Sequence, residues 1–316
     1  MADDADVAIP VAAPRAVKRT WRRVGIAALV VAVVAGGIVG YGALDRTRTA
    51  RRHVSEAARL LSEAEPSVIA VDAAVRSEIT TALVQTAADA LDSADTGANL
   101  LIKAEEELKL ASGTIPEEDT PLAVALADSI EARRTMMREG TEILKADERA
   151  ANVIEPARTA WSLAAEAETL TVNAVAQYNK HTKAGVEQST VLSKQASAKL
   201  SSARSLLETV SVGFSEADMD PFVSYIDARL KLITQSQKID STWLAGKVAD
   251  ANKLLDAYNA EETKVVKQAG ALPGTPVSVL AGAYDALTKD GITRYFEARD
   301  AARQADVDVK AATAEQ

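Results

Sequence analysis

Apolar residues recur along most of this chain at intervals of three and four, the period of a helix that buries one narrow stripe. One seam runs through Leu122, Leu126, Ile130, Met137, Leu144, Ala151 and Ile154. A second runs through Leu192, Ala196, Leu200, Ala203, Leu207 and Val210. A third continues from Phe222 through Ile226, Leu230, Ile233, Leu244, Val248, Ala251, Leu255 and Tyr258 to Val265. No useful length of strand-like alternation interrupts them. The pattern predicts an all-α fold of close-packed helices.

One stretch departs from this amphipathic pattern. Val24–Leu44 carries no charge and lies between Arg22-Arg23 and Asp45-Arg46. At about 1.5 Å per residue, the path from Trp21 to Tyr41 covers roughly 30 Å, the thickness of a bilayer's hydrocarbon core. Both aromatics fall where interface anchors belong. The expectation is a single transmembrane helix at 24–44, behind a short basic tail at 1–23. Within it Ala28, Ala32, Gly36 and Gly40 place small side chains on one ridge, a device for helix association in lipid and hence for a homo-oligomer.

Breakers divide the remainder. Ser112-Gly113-Thr114-Ile115-Pro116 ends one helix, and Asp119-Thr120-Pro121 opens another with a capping side chain and a first-turn proline. The same grammar returns at Val212-Gly213 and Asp218-Met219-Asp220-Pro221, while Gly270–Pro276 forms a further turn. Pro66 and Pro156 are read as kinks or tight breaks. The expected plan is a juxtamembrane helix at 45–66 and an elongated antiparallel helical bundle or coiled-coil rod at 67–314. Its loops fall near 113–120, 155–156, 213–220 and 270–276, giving five or six helices. Lengths of about 35 to 55 residues correspond to roughly 50 to 80 Å. In architecture alone, the topology resembles spectrin-type repeat rods and the helical sensory modules of membrane receptors.

The repeated breakers also suggest two diverged repeats. Gly113 and Gly213, like Pro121 and Pro221, lie 100 residues apart. Ser129-Ile-Glu-Ala-Arg133 answers Tyr225-Ile-Asp-Ala-Arg229, and Trp161 with Tyr178-Asn179 answers Trp243 with Tyr258-Asn259.

Composition narrows the packing and the partners. Aromatics make up only 4% of the chain, so buried seams must consist of Ala, Leu, Val and Ile. Of 36 basic and 45 acidic residues, Arg15, Lys18, Arg19, Arg22, Arg23 and Asp3, Asp4, Asp6 precede the apolar stretch. The remainder holds 31 against 42, a net charge of −11. Such a surface repels phosphate backbones, so no nucleic acid is expected as partner. No cysteine exists to form disulfides, ligate zinc or act as a thiol nucleophile. Arginines flank the span on both sides and leave its orientation undecided, but the basic tail resembles a signal anchor, which would export the helical portion behind it.

Candidate chemistry is sparse. His53 and His181 have no carboxylates at metal-ligand spacing. Glu117-Glu118-Asp119 and Asp218-Met219-Asp220 could gather at one pole, yet helix capping accounts for them without Ca²⁺. No phosphate loop, nucleophile elbow or dinucleotide fingerprint occurs. Catalytic, cofactor-binding and metal residues are therefore all expected to be none. Trp161, Tyr178, Trp243 and Tyr258 stand out among few aromatics, either as packing within the bundle or as a partner surface.

The expected function is a non-enzymatic, membrane-anchored scaffold or stalk that binds a protein partner, with its helical domain outside the cytoplasm. One alternative is an extracytoplasmic sensory module that takes a ligand between its helices. Another is a cytoplasmic scaffold associated with the septum or cytoskeleton.

Overall fold

The computed structural model describes residues 41–314, with side-chain environments from residue 46 onward. The expected span at 24–44 therefore lies almost entirely outside the described residues, as do Trp21, Ala28, Ala32, Gly36 and Gly40, and the side chain of Tyr41. Among the described residues no helix is long and apolar enough to cross a membrane.

The described chain is all-helical, without strands. Seven α-helices follow in order: α1 (Tyr41–Val75), α2 (Leu83–Ala111), α3 (Thr120–Tyr178), α4 (Lys183–Gly213), α5 (Asp220–Leu244), α6 (Val248–Gly270) and α7 (Pro276–Ala314). A short 3-10 turn at Glu117–Asp119 precedes α3. Neither internal proline ends its helix: α1 continues through Pro66 and α3 through Pro156. Each proline removes one backbone donor, to the carbonyl of Ser62 or Asn152. Both of those residues are exposed, so water can take the freed oxygen. The loop expected near 155–156 is thus replaced by uninterrupted helix, and the boundary expected at 66 falls inside α1.

Three turns that the sequence pattern does not announce reverse the chain instead. After α1, the Ser77 amide donates to the Ala74 carbonyl at 3.0 Å and its hydroxyl to that of Ala73 at 2.9 Å. Between α3 and α4, His181 adopts φ 52°, and the Thr182 side chain then caps α4 by accepting from the Gly185 amide at 3.1 Å. Between α5 and α6, Gly246 takes φ +77°. This left-handed conformation is open to glycine at low cost and lets the chain turn at once. Farther on, Thr275 and Ser278 cap α7 reciprocally. Each backbone amide donates to the other side chain, at 2.9 and 3.1 Å.

The chain divides into two compact units. Among the described residues, the framing unit comprises 41–148 and 288–314: α1, α2, the first half of α3 and most of α7. The inserted unit, Arg149–Leu287, holds the rest of α3, then α4, α5, α6 and the start of α7. Side-chain pairs fix helix directions inside each unit. In the framing unit His53 meets Glu107 while Ser67 meets Ser93, so α2 runs antiparallel to α1. Asp72 meets Tyr295 while Glu65 and Asp306 share Arg133, so α7 is antiparallel to α1 as well. The inserted unit repeats this up-down-up-down order with α3, α4, α5 and α6.

Both interiors are built of alanine-rich seams. The framing core threads Ala57, Ala64, Leu101, Leu126, Ile130 and Tyr295. Part of the inserted unit's interior is formed by Tyr178, Val186, Leu232, Ile239, Ala251, Tyr258 and Val265. Small residues let the backbones approach: a methyl added at Gly97 would stand 2.5 Å from Ser67 Cβ.

Candidate functional site

The chemistry concentrated inside each unit is a buried arginine. Arg133 follows Ile130 by three positions and shares its inward stripe, so its stem is carried into the framing core. Its side chain is 7% exposed. Nε donates to Glu65 on α1 at 2.9 Å and Nη2 to Asp306 on α7 at 3.0 Å. Nη1 donates to Ser129 Oγ at 2.6 Å. Burial works against the charge, but the bonds to Asp306 and Glu65 outweigh it and hold this guanidinium above its ordinary pKa.

Arg229 makes the equivalent contacts in the inserted unit. It is 6% exposed, pairs with Glu168 on α3, and donates from Nη1 to both carboxylate oxygens of Glu262 on α6, at 2.8 and 3.0 Å. Each arginine thus ties the third helix of its bundle to the first and the fourth. A chelated guanidinium of this kind is neither a nucleophile nor a proton donor near neutrality. What it can do is fix the rotation and axial register of three helices.

The burial register around the two arginines matches helix by helix, at a constant offset within each helix. Val54, Ala57, Leu61, Ala64 and Val71 on α1 answer Ala157, Ala160, Ala164, Ala167 and Ala174 on α3, all buried. Ala87, Leu101, Ala104, Leu108 and Ala111 on α2 answer Val186, Leu200, Ala203, Leu207 and Val210 on α4. Leu126, Ile130, Met137 and Ile143 answer Phe222, Ile226, Ile233 and Ile239.

The four aromatics singled out from the sequence all sit in the inserted unit. Tyr178 and Tyr258 are buried in one apolar cluster, and Trp243 packs against it half-buried. Trp161, also half-buried, meets Phe222 edge-on at 5.5 Å and Tyr225 at 6.3 Å. Burial, with Glu262 nearby, pushes the Tyr258 phenol up to about 12. Tyr178 and Tyr258 are interior packing, whereas Trp161 and Trp243 each keep part of the ring at the surface.

The acidic residues and histidines are likewise engaged in structure. Asp119 and Glu118 accept from Arg51, at 2.6 and 2.8 Å. Asp218 accepts from the Asp220 amide at 3.1 Å. His53 Nδ1 lies 2.6 Å from Glu107, while His181 occupies the α3–α4 turn. Among the described residues no three His, Cys, Asp or Glu side chains are grouped to hold a metal.

Sequence reasoning missed the buried arginines as interior groups, although it singled out the pentapeptides containing them. It took Leu230 as the inward residue of α5. The inward one is Arg229, with Leu230 half-buried beside it. No family model matches the chain, and no curated protein or solved structure does either.

Proposed function

We propose that this protein is a non-enzymatic helical scaffold, anchored to a membrane through 24–44, which presents a protein partner with two bundles diverged from one ancestral unit. The observation that carries this reading is the pair of equivalent arginine triads. Arg133 with Glu65 and Asp306, and Arg229 with Glu168 and Glu262, link first, third and fourth helices in the same way. Desolvation offsets much of the attraction in such a triad, so its main yield is a defined helix register rather than stability. Defined register suits a part whose work is to hold outer surfaces in a set arrangement.

The anchor rests on the uncharged run and its Trp21 and Tyr41 flanks. The Ala28, Ala32, Gly36, Gly40 ridge would pair two such helices in lipid. The extracytoplasmic side is favoured by the signal-anchor character of the tail.

A combined test uses the full-length chain in its own cells. It should stay in the membrane pellet through alkaline carbonate, and deletion of 24–44 should release it. A tag after Gln316 should be cut by protease added to cells stripped of their wall. A photo-crosslinker at exposed Ile69 or Val172 should then join the chain to protein. Carbonate release of the intact chain would refute the anchor, and absence of any protein adduct would refute the scaffold.

A further inference from the structure

The inserted unit holds one buried carboxyl that makes no ion pair among the described residues. Asp240 on α5 is 1% exposed, on the stripe that also buries Ile233. Its neighbours on α4 are hydroxyls: Thr190 Oγ1 lies 3.1 Å from Oδ2, and Ser189, itself buried, opposes together with it the effect of burial on the acid. The matching position in the framing unit is Leu144, and Ala90 stands where the inserted unit has Ser189, both buried. Apolar residues in one bundle take the places of polar ones in the other.

A count of protons, with the lack of a cationic partner, favours the neutral form of the acid. Thr190 Oγ1 is also 3.1 Å from the Val186 carbonyl, and a hydroxyl has one proton to donate. If Asp240 is ionised, Thr190 donates either to the carboxylate or to that carbonyl, which the helix already satisfies, and a charge without a cationic partner stays buried. If Asp240 is protonated, it donates to Thr190, Thr190 donates to Val186, and Ser189 still has its proton for the carboxyl. Every contact is then satisfied.

The ionisable groups around the site do not reverse this. Tyr178 is the titratable residue of α3 that Asp240 affects, and the carboxyl's charge would oppose its ionisation. On α4, Lys183 and Glu187 pair with each other while largely exposed, as Asp250 and Lys253 do on α6. Lys238 on α5 is exposed. The remaining α6 contribution to this cluster is Ala251, Leu254, Leu255, Tyr258 and Val265.

We propose that Asp240 is held as a neutral, hydrogen-bond-donating acid in the folded inserted unit, so that loss of its proton as pH rises loosens the α4–α5 seam. Burial, opposed by the hydroxyls, also displaces its pKa upward. Stability from this group is therefore complete below the ordinary aspartate value and is lost as pH rises to the displaced value.

The test is urea unfolding of the full-length chain, kept soluble in detergent, across pH 4 to 8, alongside Asp240→Asn, which is neutral at every pH. The unfolding constant of wild type relative to the variant should grow, by up to about tenfold per pH unit, between the ordinary aspartate value and the displaced one, and then level off. A parallel pH dependence in both proteins overturns the proposal. Should the variant fail to fold, infrared spectra of the wild type followed upward from pH 5 decide. A protonated-carboxyl band that shifts in Asp240→Glu supports the neutral acid, and its absence overturns it.

Discussion

The Tyr295 hydroxyl donates to Asp72 Oδ1 at 3.0 Å, joining residues separated by nearly the whole described chain. Tyr295 is fully buried, and Arg299 Nε donates to the same oxygen at 2.8 Å. The framing unit is therefore closed by its last helix, after the inserted unit has been threaded between its third and fourth. Space for the ring comes from Gly140: a methyl there would lie 2.6 Å from Val71 and 3.1 Å from Tyr295. At the matching positions the inserted unit carries Ser236 and Ala251, a different partition of the same space.

From this relationship Gly140→Ala should destabilise by about 1–3 kcal/mol through overpacking. Tyr295→Phe keeps the ring and loses one hydrogen bond, costing about 1 kcal/mol. Chemical denaturation of both variants checks the order. A Tyr295→Phe cost larger than that of Gly140→Ala would mean that the polar contact, rather than the fit of the ring, governs closure.

Truncating either central arginine strands two carboxylates against each other. Arg133→Ala and Arg229→Ala should each cost about 3 kcal/mol, the lower end for breaking a buried pair because the acids are partly exposed. Arg→Met at either position should cost less, since it fills the stem volume without needing a partner. Urea midpoints of the four variants give the comparison. Methionine variants no better than alanine would assign the arginines' role to charge alone.

The same glycine-to-alanine change should have opposite signs at two places. Gly113 has φ +83° with open space around it, so Gly113→Ala meets backbone strain alone and should destabilise by about 1 kcal/mol. Gly282 lies inside α7, also facing open space, and Gly282→Ala should stabilise by about 0.5–1 kcal/mol. Thermal melts of the pair would show shifts in opposite directions.

Helix identity was legible because seam periodicity survives in nearly every element. The turns were legible only where proline and glycine cooperate, as at Gly113–Pro121 and Gly270–Pro276. Where one signal stood alone it misled both ways. Pro66 and Pro156 cost one backbone bond each, with the freed carbonyls on exposed Ser62 and Asn152, and the helices continue. Gly246 is a lone glycine without proline, yet its positive φ turns the chain. The buried arginines and Asp240 were hidden by the assumption that seams are apolar. The stripe through Phe222, Ile226, Ile233 already passes Arg229 and Asp240 at helical spacing, and the repeated pentapeptide marks Arg229 directly. In α4 the same assumption chose Leu192 over Ser193, which is the buried neighbour.

Glu139 supplies an acid response opposite in sign to that of Asp240. Its carboxylate accepts from Arg294 Nη2 at 2.8 Å and from Arg138 at 3.0–3.1 Å, and it is almost fully covered. The hydrogen bond from Arg294 is the largest influence, and with Arg138 it overcomes burial to hold the carboxyl below its ordinary pKa. A lowered folded-state pKa means stability that is present above the unfolded value and lost as pH falls through the folded one. Glu139→Gln should therefore be less stable than wild type at pH 7, and the gap should close as pH drops below about 4. Measured beside Asp240→Asn, whose gap opens as pH rises, the two variants separate the acid-sensitive contact of α3 with α7 from the base-sensitive contact of α4 with α5. A Glu139→Gln deficit that persists unchanged into acid would assign its cost to lost packing rather than to the ion pairs.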